Sequence, residues 1–350
     1  MFLRAQTRSL NVGGVYVGGG APVSVQTMCT ANPHDATACL TQVVSCASRG
    51  CDIIRMTVPD EDAAKVLGVV RRSSPIPIVA DIHFDYKCAL ASLHAGADAL
   101  RINPGNIGSR EKLAAVAREA KEKRVPIRVG VNGGSLEKGE TLVGSALKSL
   151  KLLEDEGFYD IAISVKTSNV VDTLAAYREL AERTDCPLHL GVTEAGTLLP
   201  GTVRSSVALG ILLSEGIGDT IRVSLTSKPE KEVKVGLEIL RSLGLRAPGP
   251  AVTSCPTCGR TKVDLFRVAS QVEDALETIA ADPQSPFAGK PFPRVAVMGC
   301  AVNGPGEAKG ADVALCGGDG EFLLYVKGVL AEKVSQEDAV RKVVEHVVSL

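Results

Sequence analysis

Residues 76–103 of this chain read IPIVADIHFDYKCALASLHAGADALRIN, with an apolar run at each end and a segment of helical length between them. The two runs, residues 76–82 and 99–103, are apolar on both faces, as strands buried in a parallel sheet are. Gly96 lies shortly before the second run, where glycine commonly ends a helix. This stretch therefore predicts a strand, a helix and a second, parallel strand.

The same strand-then-helix pattern fills the chain from Pro22 to about Leu243. Apolar runs that predict strands lie at residues 23–28, 52–57, 76–82, 99–103, 127–132, 161–165, 188–192 and 220–225. Eight such units in about 250 residues are the size of a TIM (β/α)8 barrel, whereas an open doubly wound sheet normally has fewer strands. The glycine-rich segment 11–20 lacks the strand–GxGxxG–helix context of a nucleotide loop, so we predict a hairpin at the bottom of the barrel.

A second domain follows the Pro- and Gly-rich segment 246–250, which we interpret as a linker. The predicted domains are residues 1–245 for the barrel and 246–350 for the second domain. Helices are predicted there at 263–280 and 336–348, and strands at 294–298, 313–315 and 322–329. This mixture is typical of a small α+β domain.

The composition excludes several classes of protein. A net charge of −1 and an aromatic content of 3% give neither a global field nor stacking platforms for nucleic acid. No apolar run reaches transmembrane length, and the N-terminal residues do not resemble a signal peptide, so we expect a cytoplasmic protein. Small buried thiols are expected at six of the ten cysteines: Cys29, Cys39, Cys46, Cys51, Cys88 and Cys186.

Charged and polar residues occupy the carboxyl ends of the predicted strands, where the active sites of TIM barrels form. The cations are Arg55, Arg101, Arg128, Lys166 and Arg222, and among them lie Asp81, His83, Asn103, Asn132, Asn169, Glu194 and Ser224. One such cation is ordinarily a surface charge or an ion-pair partner, but five at one opening repel each other unless an anion offsets them. Arginine binds phosphate oxygens bidentately, so the sequence predicts a substrate with more than one phosphate charge.

Two members of this group have alternative roles. Glu194 is predicted to be the main acidic group and a candidate general acid or base, or else a structural partner of Lys166 or Arg222. His83 is expected either to donate to phosphate or to bond Asp81.

Three further cysteines lie in turns rich in Gly and Pro. Cys255 and Cys258 form a CxxC in Ser254-Cys-Pro-Thr-Cys-Gly259, and Cys300 begins a segment that runs through a Gly-Pro-Gly loop to Glu307. A CxxC lets two thiolates reach one metal or cluster, while Gly and Pro leave backbone N–H groups free to face sulfur.

Four interpretations of these cysteines compete. A structural zinc site would take Cys316 as its fourth ligand, but the tight second pair of ligands is missing. The context for a redox CxxC is weak, and a radical-SAM motif, CxxxCxxC, is absent from the sequence. An iron–sulfur cluster with three thiolates and a weaker fourth ligand fits the residues best.

These cysteine segments, together with residues 22–28, 52–55, 80–84, 100–106, 127–132 and 191–196, resemble the bacterial 4-hydroxy-3-methylbut-2-enyl diphosphate synthases of the methylerythritol phosphate route to isoprenoids. The resemblance covers nearly the whole chain. It implies a 4Fe–4S cluster bound by Cys255, Cys258, Cys300 and Glu307. It also implies a barrel similar to dihydropteroate synthase, a cluster domain similar to a sulfite reductase module, a homodimer, and ferredoxin or flavodoxin as electron donor. Cys29 begins a loop, residues 29–35, that departs from the usual Thr-rich pattern of the family.

The resemblance further implies the substrate 2-C-methyl-D-erythritol 2,4-cyclodiphosphate, which is reduced by two electrons to the linear allylic diphosphate. We expect the five cations to bind the diphosphate, Glu307 to be the exchangeable cluster ligand, and Glu194 to donate a proton to the leaving oxygen. The alternative is a TIM-barrel lyase, or a phosphate-ligand binding protein, with a structural zinc module.

Overall fold

The computed structural model describes residues 6–103, 106–132, 139–247, 249–281, 284–287 and 290–350, without the side chains of Asn132 and Ala281. Of the predicted features, Pro248 in the linker, residues 104–105 and the Asn132 side chain lie outside the described residues. The chain divides between Arg246 and Ala247 into two compact units.

The first unit contains the predicted barrel. Its eight parallel strands follow one another in the order β8-β7-β6-β5-β4-β3-β10-β9. A bridge between Ile163 and Leu188 joins the first and last of them and closes the ring. The strands are β3 (Ser24–Met28), β4 (Ile53–Thr57), β5 (Ile78–Asp81), β6 (Ala99–Ile102), β7 (Ile127–Asn132), β8 (Ile161–Lys166), β9 (His189–Leu190) and β10 (Thr220–Ile221). The TIM barrel is therefore confirmed, although β9 and β10 are shorter than predicted.

Eight helices alternate with these strands. They are α1 (Ala36–Ser48), α2 (Glu61–Ser73), α3 (Tyr86–Ala95), α4 (Arg110–Lys123), α5 (Leu142–Asp155), α6 (Val170–Arg183), α7 (Leu198–Ser214) and α8 (Pro229–Ser242). Aspartate side chains cap the first three, as the Asp60 carboxylate does by accepting from the Ala63 N–H. Gly96 ends α3 with a φ of 92°, as the sequence predicts.

Side chains along each barrel strand alternate between the outer face and the interior of the barrel. Ile54 and Met56 of β4 pack outward into the main apolar core, while Ile53 and Arg55 lie on the opposite face, which lines the interior. The predicted hairpin consists of β1 (Ser9–Val12) and β2 (Val15–Gly18). Its apolar side chains pack against Ile53 and two residues at the amino ends of neighbouring strands, so it covers the bottom of the barrel.

The second unit has one mixed five-stranded sheet in sequence order, with its first three strands parallel and the last two antiparallel. The strands are β11 (Val252–Ser254), β12 (Val295–Met298), β13 (Val313–Gly317), β14 (Phe322–Val326) and β15 (Val329–Val334), and the helices are α9 (Leu265–Ala281), α10 (Gly304–Glu307) and α11 (Ala339–Val348). The α+β class is confirmed.

Three details of this unit differ from the prediction. The single strand predicted at 322–329 is a hairpin, because Lys327 and Gly328 turn the chain with φ values of 50° and 79°. The three-residue strand β11 is too short for its periodicity to be recognised. The predicted Gly-Pro-Gly loop forms the short helix α10, in which Pro305 occupies the first turn.

Among the described residues, no helix is both long enough and apolar enough to cross a membrane.

Candidate active site and cluster-binding loops

The structure places the five predicted cations together inside the barrel. Lys166 ends β8 and Arg222 follows β10 as predicted, but Arg128 is the second residue of β7, so it lies nearer the amino end of its strand than predicted. On neighbouring strands, Arg101 pairs in register with Asp81 on one side and with Arg128 on the other. Arg128 and Lys166 are buried, at 6% and 8% exposure. Burial, followed by repulsion from neighbouring arginines, lowers the pKa of both groups well below their usual values. The five side chains form what we call the cation cluster: Arg55, Arg101, Arg128, Lys166 and Arg222.

Asp81 is the carboxylate that lies beside two members of this cluster, Arg55 and Arg101. It is 1% exposed and lies 3.3 Å from Arg101 Nη1 and 3.4 Å from Arg55 Nε. Burial alone would raise the pKa of the Asp81 carboxyl, but the two arginines outweigh it and the pKa is lowered. His83 Nε2 lies 3.9 Å from Asp81 Oδ2, too far for a hydrogen bond, and the His83 side chain is half exposed.

Glu232 is the carboxylate that pairs with a third member, Arg222, and the sequence analysis did not identify it. It lies on α8 and accepts from Arg222 Nε at 3.3 Å and from Arg222 Nη2 at 3.4 Å. The sequence analysis considered only residues at the strand ends, and Glu232 lies further along the chain, on a helix. Nothing in the local sequence indicates that a side chain on this helix reaches the barrel mouth. We predicted Glu194 as the main acidic group, but Asp81 and Glu232 contact the arginines instead.

Glu194 is exposed and follows β9 with a φ of 51°, a left-handed conformation that is uncommon outside glycine. Strained backbone of this kind is often found at functional sites. Asn103 is buried after β6, and Ser224 is half-buried after β10. Asn169 has a different role from the one expected, because its side chain caps α6 by accepting from the N–H groups of Val171 and Asp172.

Two guanidinium groups of the cation cluster point at one neutral acceptor. Arg55 Nη2 lies 3.0 Å from the sulfur of Met28, and Arg222 Nη1 lies 3.7 Å from the same atom. Thioether sulfur is a weak acceptor. Arg128 donates from Nη1 to Gln26 Oε1 at 2.6 Å, while its Nε and Nη2 have no hydrogen-bond partner within the described part of the chain. The cluster thus holds donors that a stronger acceptor would satisfy.

Two glycines make room for the cations, Gly130 on β7 and Gly191 just after β9. A Cβ at Gly191 would lie 2.8 Å from Lys166 Nζ, and a Cβ at Gly130 would be closer still to Arg101 Nε. A larger residue at Gly130 would displace Arg101, and one at Gly191 would crowd both Lys166 and the backbone oxygen of Arg222, so these two glycines shape the cluster.

The cysteine loops lie at the carboxyl ends of β11 and β12. These strands pair in parallel, with Ser254 beside Val297, so Cys255 and Cys300 emerge from the same edge of the sheet. The Gly299 N–H donates to Cys255 Sγ at 3.2 Å. Backbone N–H groups of Asn303 and Val302 lower the pKa of Cys300.

The lowered pKa favours the thiolate of Cys300, which is the form that ligates iron. Thr257, within the CxxC, has a φ of 65°. Cys258 and Glu307 are exposed, while Cys255 and Cys300 are half-buried. The residues therefore fit a cluster with three thiolates and one carboxylate.

Cys316 has the properties of a structural thiol. It is fully buried on β13, and burial raises its pKa to about 12. A Cβ at Gly304 would lie 3.0 Å from its sulfur, so the thiol packs beneath α10. In the ranges that the structure describes, no three His, Cys, Asp or Glu side chains stand close enough to hold a single metal ion.

Comparison with known proteins connects the two units to one family. The chain matches the family model described as the GcpE TIM-barrel domain over residues 7–237, and the one described as the GcpE protein C-terminal domain over residues 251–349. A relative from Geobacter sulfurreducens is 52% identical over 346 residues, covering 96% of this chain and 95% of that protein. One from Maridesulfovibrio salexigens is 51% identical, covering 97% and 94%. Both are named 4-hydroxy-3-methylbut-2-en-1-yl diphosphate synthase (flavodoxin).

Two solved structures are similar to about two thirds of the chain, the length of the barrel. Dihydropteroate synthase from Stenotrophomonas maltophilia has a TM-score of 0.53 at 16% identity, covering 68% of this chain and 97% of that one. The 3-dehydroquinate dehydratase from Geobacillus kaustophilus has a TM-score of 0.51 at 16% identity, covering 69% and 99%. At this identity the likeness establishes the fold only, and it agrees with the barrel expected from the sequence.

Proposed function

The chain belongs to the GcpE family, and from that premise we propose that its barrel binds a cyclic diphosphate while its C-terminal unit holds a 4Fe–4S cluster. The chain converts 2-C-methyl-D-erythritol 2,4-cyclodiphosphate to (E)-4-hydroxy-3-methylbut-2-enyl diphosphate in non-mevalonate isoprenoid biosynthesis. Two electrons and two protons are consumed, the ring opens, and one oxygen leaves as water. The enzyme is thus an oxidoreductase.

The observation that carries the proposed diphosphate site is the approach of Arg55 and Arg222 to the sulfur of Met28, at 3.0 and 3.7 Å. Phosphate oxygens accept charge-assisted hydrogen bonds far more strongly than a thioether does. A phosphate that enters the barrel mouth would take these N–H donors from Met28. Arg101, Arg128 and Lys166 then line the space for the remaining phosphate charge.

Uncharged groups at the same end of the barrel would orient the rest of the substrate. We assign this role to His83, Asn103, Asn132 and Ser224, all of which follow or end a barrel strand. The half-exposed His83 ring is free to turn toward a ligand, since it makes no hydrogen bond to Asp81.

Cys255, Cys258, Cys300 and Glu307 would hold the cluster. When bound, the cluster supplies single electrons and a Lewis-acidic iron for breaking the C–O bond. The Gly299 N–H donates to the sulfur of Cys255, and backbone N–H groups lower the pKa of Cys300, which favours the thiolate form of that ligand. The exposed carboxylate of Glu307 is the weakest of the four donors and therefore the one that a ligand displaces most readily.

Glu194 is assigned as the proton donor to the leaving oxygen. Two observations support this assignment: the left-handed backbone of Glu194 and its position in the segment that follows the carboxyl end of β9. Within the described residues, Glu194 pairs with no cation, so its carboxyl group is available to a substrate.

The test is the visible absorption spectrum of anaerobically purified protein, before and after dithionite, with iron and zinc measured on the same sample. We expect a brown chromophore that bleaches and about four irons per chain. A colourless protein with about one zinc per chain would instead favour a TIM-barrel lyase, or a phosphate-ligand binding protein, with a structural zinc module.

The electron donor is proposed to be flavodoxin, because the relatives carry that donor in their names, with ferredoxin as the alternative. Turnover with each purified, reduced carrier distinguishes the two. A cytoplasmic location is also proposed, since all ten cysteines are free, as is usual in a reducing compartment.

A homodimer is proposed in which one chain's cluster serves the other chain's barrel. The test mixes Cys258→Ala, which damages the cluster, with Arg128→Met, which damages the barrel. Each variant alone should be inactive, and mixing them with subunit exchange should restore part of the activity. If exchange is verified and activity does not return, each chain works alone.

A further inference from the structure

We propose that Glu232 is a positioning residue that sets the direction of the Arg222 guanidinium toward the diphosphate. This inference rests on the proposed function of the cation cluster and extends it to a residue on a helix outside the barrel. Glu232 is 4% exposed, and it contacts three separate parts of the first unit.

Four hydrogen bonds end on the Glu232 carboxylate. Thr27 Oγ1 donates at 2.7 Å and the Leu225 N–H at 2.9 Å, while Arg222 donates from Nε at 3.3 Å and from Nη2 at 3.4 Å. The carboxylate therefore links β3, the segment after β10 and the first turns of α8. A buried carboxylate with this many fixed donors has little freedom to turn.

The helix holds Glu232 at this depth. Gly236 lies one turn further along α8 on the same face, and a Cβ there would be 3.0 Å from Val25 Cγ1 and 3.7 Å from Ile221 Cδ1. The absence of a side chain at Gly236 lets α8 lie directly on β3 and β10. Glu232 can then reach past the two strands to Arg222.

The contacts divide the donors of Arg222 into two sets. Glu232 takes the edge formed by Nε and Nη2, in the fork geometry that carboxylates favour. The remaining group, Nη1, points at the sulfur of Met28, where Arg55 Nη2 also points. Glu232 thereby leaves Nη1 of Arg222 directed at the same place as Nη2 of Arg55, so the two arginines can bind one anion together.

Glu232 could act through its charge alone or by positioning Arg222, and these two roles predict opposite effects of Glu232→Gln. This substitution preserves the shape of the side chain and removes one negative charge. If the carboxylate only weakened the positive field, its loss would strengthen anion binding. If it positions Arg222, the amide NH2 faces the arginine donors, the fork is lost, and binding weakens. We expect KM to rise about tenfold, with kcat unchanged within about twofold, because one charge-assisted hydrogen bond is worth roughly this factor.

The experiment measures kcat and KM of the holoenzyme, and the Kd of inorganic pyrophosphate by calorimetry, for wild type, Glu232→Gln, Arg222→Lys and the double variant. The Kd should rise with KM, and Glu232→Gln should add less than about twofold in the Arg222→Lys background. Glu238→Gln, a change at a half-exposed residue of the same helix, is the matched control and should leave KM and the Kd unchanged, because Glu238 pairs with Arg241 and not with the cation cluster.

Thr27→Val provides a second route if Glu232→Gln does not fold. It removes one donor to the same carboxylate and should raise KM about threefold. An unchanged or lowered KM in the folded variants, or additive losses in the double variant, overturns the inference. A fall in kcat alone would indicate a structural role and also overturns it. Wild-type holoenzyme that binds no pyrophosphate would refute the proposed diphosphate site instead.

Discussion

Replacing Gly130 by alanine tests whether the position of Arg101 matters for substrate binding. The new Cβ would lie 2.4 Å from Arg101 Nε and 2.9 Å from Nη2. Carbon and nitrogen atoms in contact need about 3.5 Å, so the guanidinium must retreat by about 1 Å. The φ of Gly130 lies outside the left-handed region, so alanine itself strains nothing.

The retreat has a calculable cost in binding. Arg101 Nη1 lies 3.3 Å from Asp81 Oδ1, and a shift of about 1 Å in either direction spoils this contact or moves the donors off a phosphate oxygen. Loss of one charge-assisted hydrogen bond costs about 1.5–3 kcal/mol, which is about ten- to a hundredfold in KM. The fold should tolerate the change, because a flexible side chain moves rather than the backbone.

Steady-state kinetics and thermal unfolding of the reconstituted enzyme measure the two effects separately. The control is Gly210→Ala in the middle of α7, where a Cβ meets nothing within 4 Å. This change should leave KM unaltered and stabilise the protein by about 0.5–1 kcal/mol, as alanine does in a helix interior. A Gly130→Ala enzyme with wild-type KM would refute the claim that Arg101 is placed to bind the substrate.

Four further predictions address the remaining groups. Glu194→Gln should retain pyrophosphate affinity and lose kcat, and an unchanged rate would remove Glu194 from the mechanism. Glu307→Cys should retain about four irons per chain and lose turnover, so full activity would show that no exchangeable carboxylate is needed. Pyrophosphate binding should take up protons at a pH between the lowered pKa of Lys166 and its ordinary value of about 10.4, because burial and then the neighbouring arginines lower the pKa of Lys166 and a bound anion raises it again. Binding heats that are equal in buffers of different ionisation enthalpy would contradict this. Since Asp81 has a lowered pKa in the fold, its stabilisation is present above the unfolded pKa of about 3.9 and is lost as the pH falls through the folded value, so the acid slope of the unfolding free energy should be shallower in Asp81→Asn.

Local sequence determines which parts of this fold are predictable. Each barrel strand is an apolar run with a breaker near its start, so the strand-then-helix repeat can be recognised without knowing which strands pair. The cations can be recognised because each lies in or just after one of those runs. Glu232 was not, because its contact with Arg222 depends on how α8 lies across β3 and β10, which no local pattern encodes. For the same reason, the space that Gly130 provides for Arg101 became evident only from the packing.

The positive charges of the cation cluster are only partly balanced by carboxylates, and the positions of those carboxylates follow from this. Asp81 offsets Arg55 and Arg101, and Glu232 offsets Arg222. Among the described residues, no carboxylate lies within ion-pair distance of Arg128, which instead donates to the neutral Gln26.

Further carboxylates beside Arg128 would stabilise the empty barrel, but they would have to be displaced or left unpaired when a diphosphate enters, at a high cost in a buried site. The arrangement that favours ligand binding therefore orients the arginines with two carboxylates and leaves the remaining positive charge for the substrate. It follows that a bound diphosphate should stabilise the barrel as well as occupy it, since it binds the folded state alone.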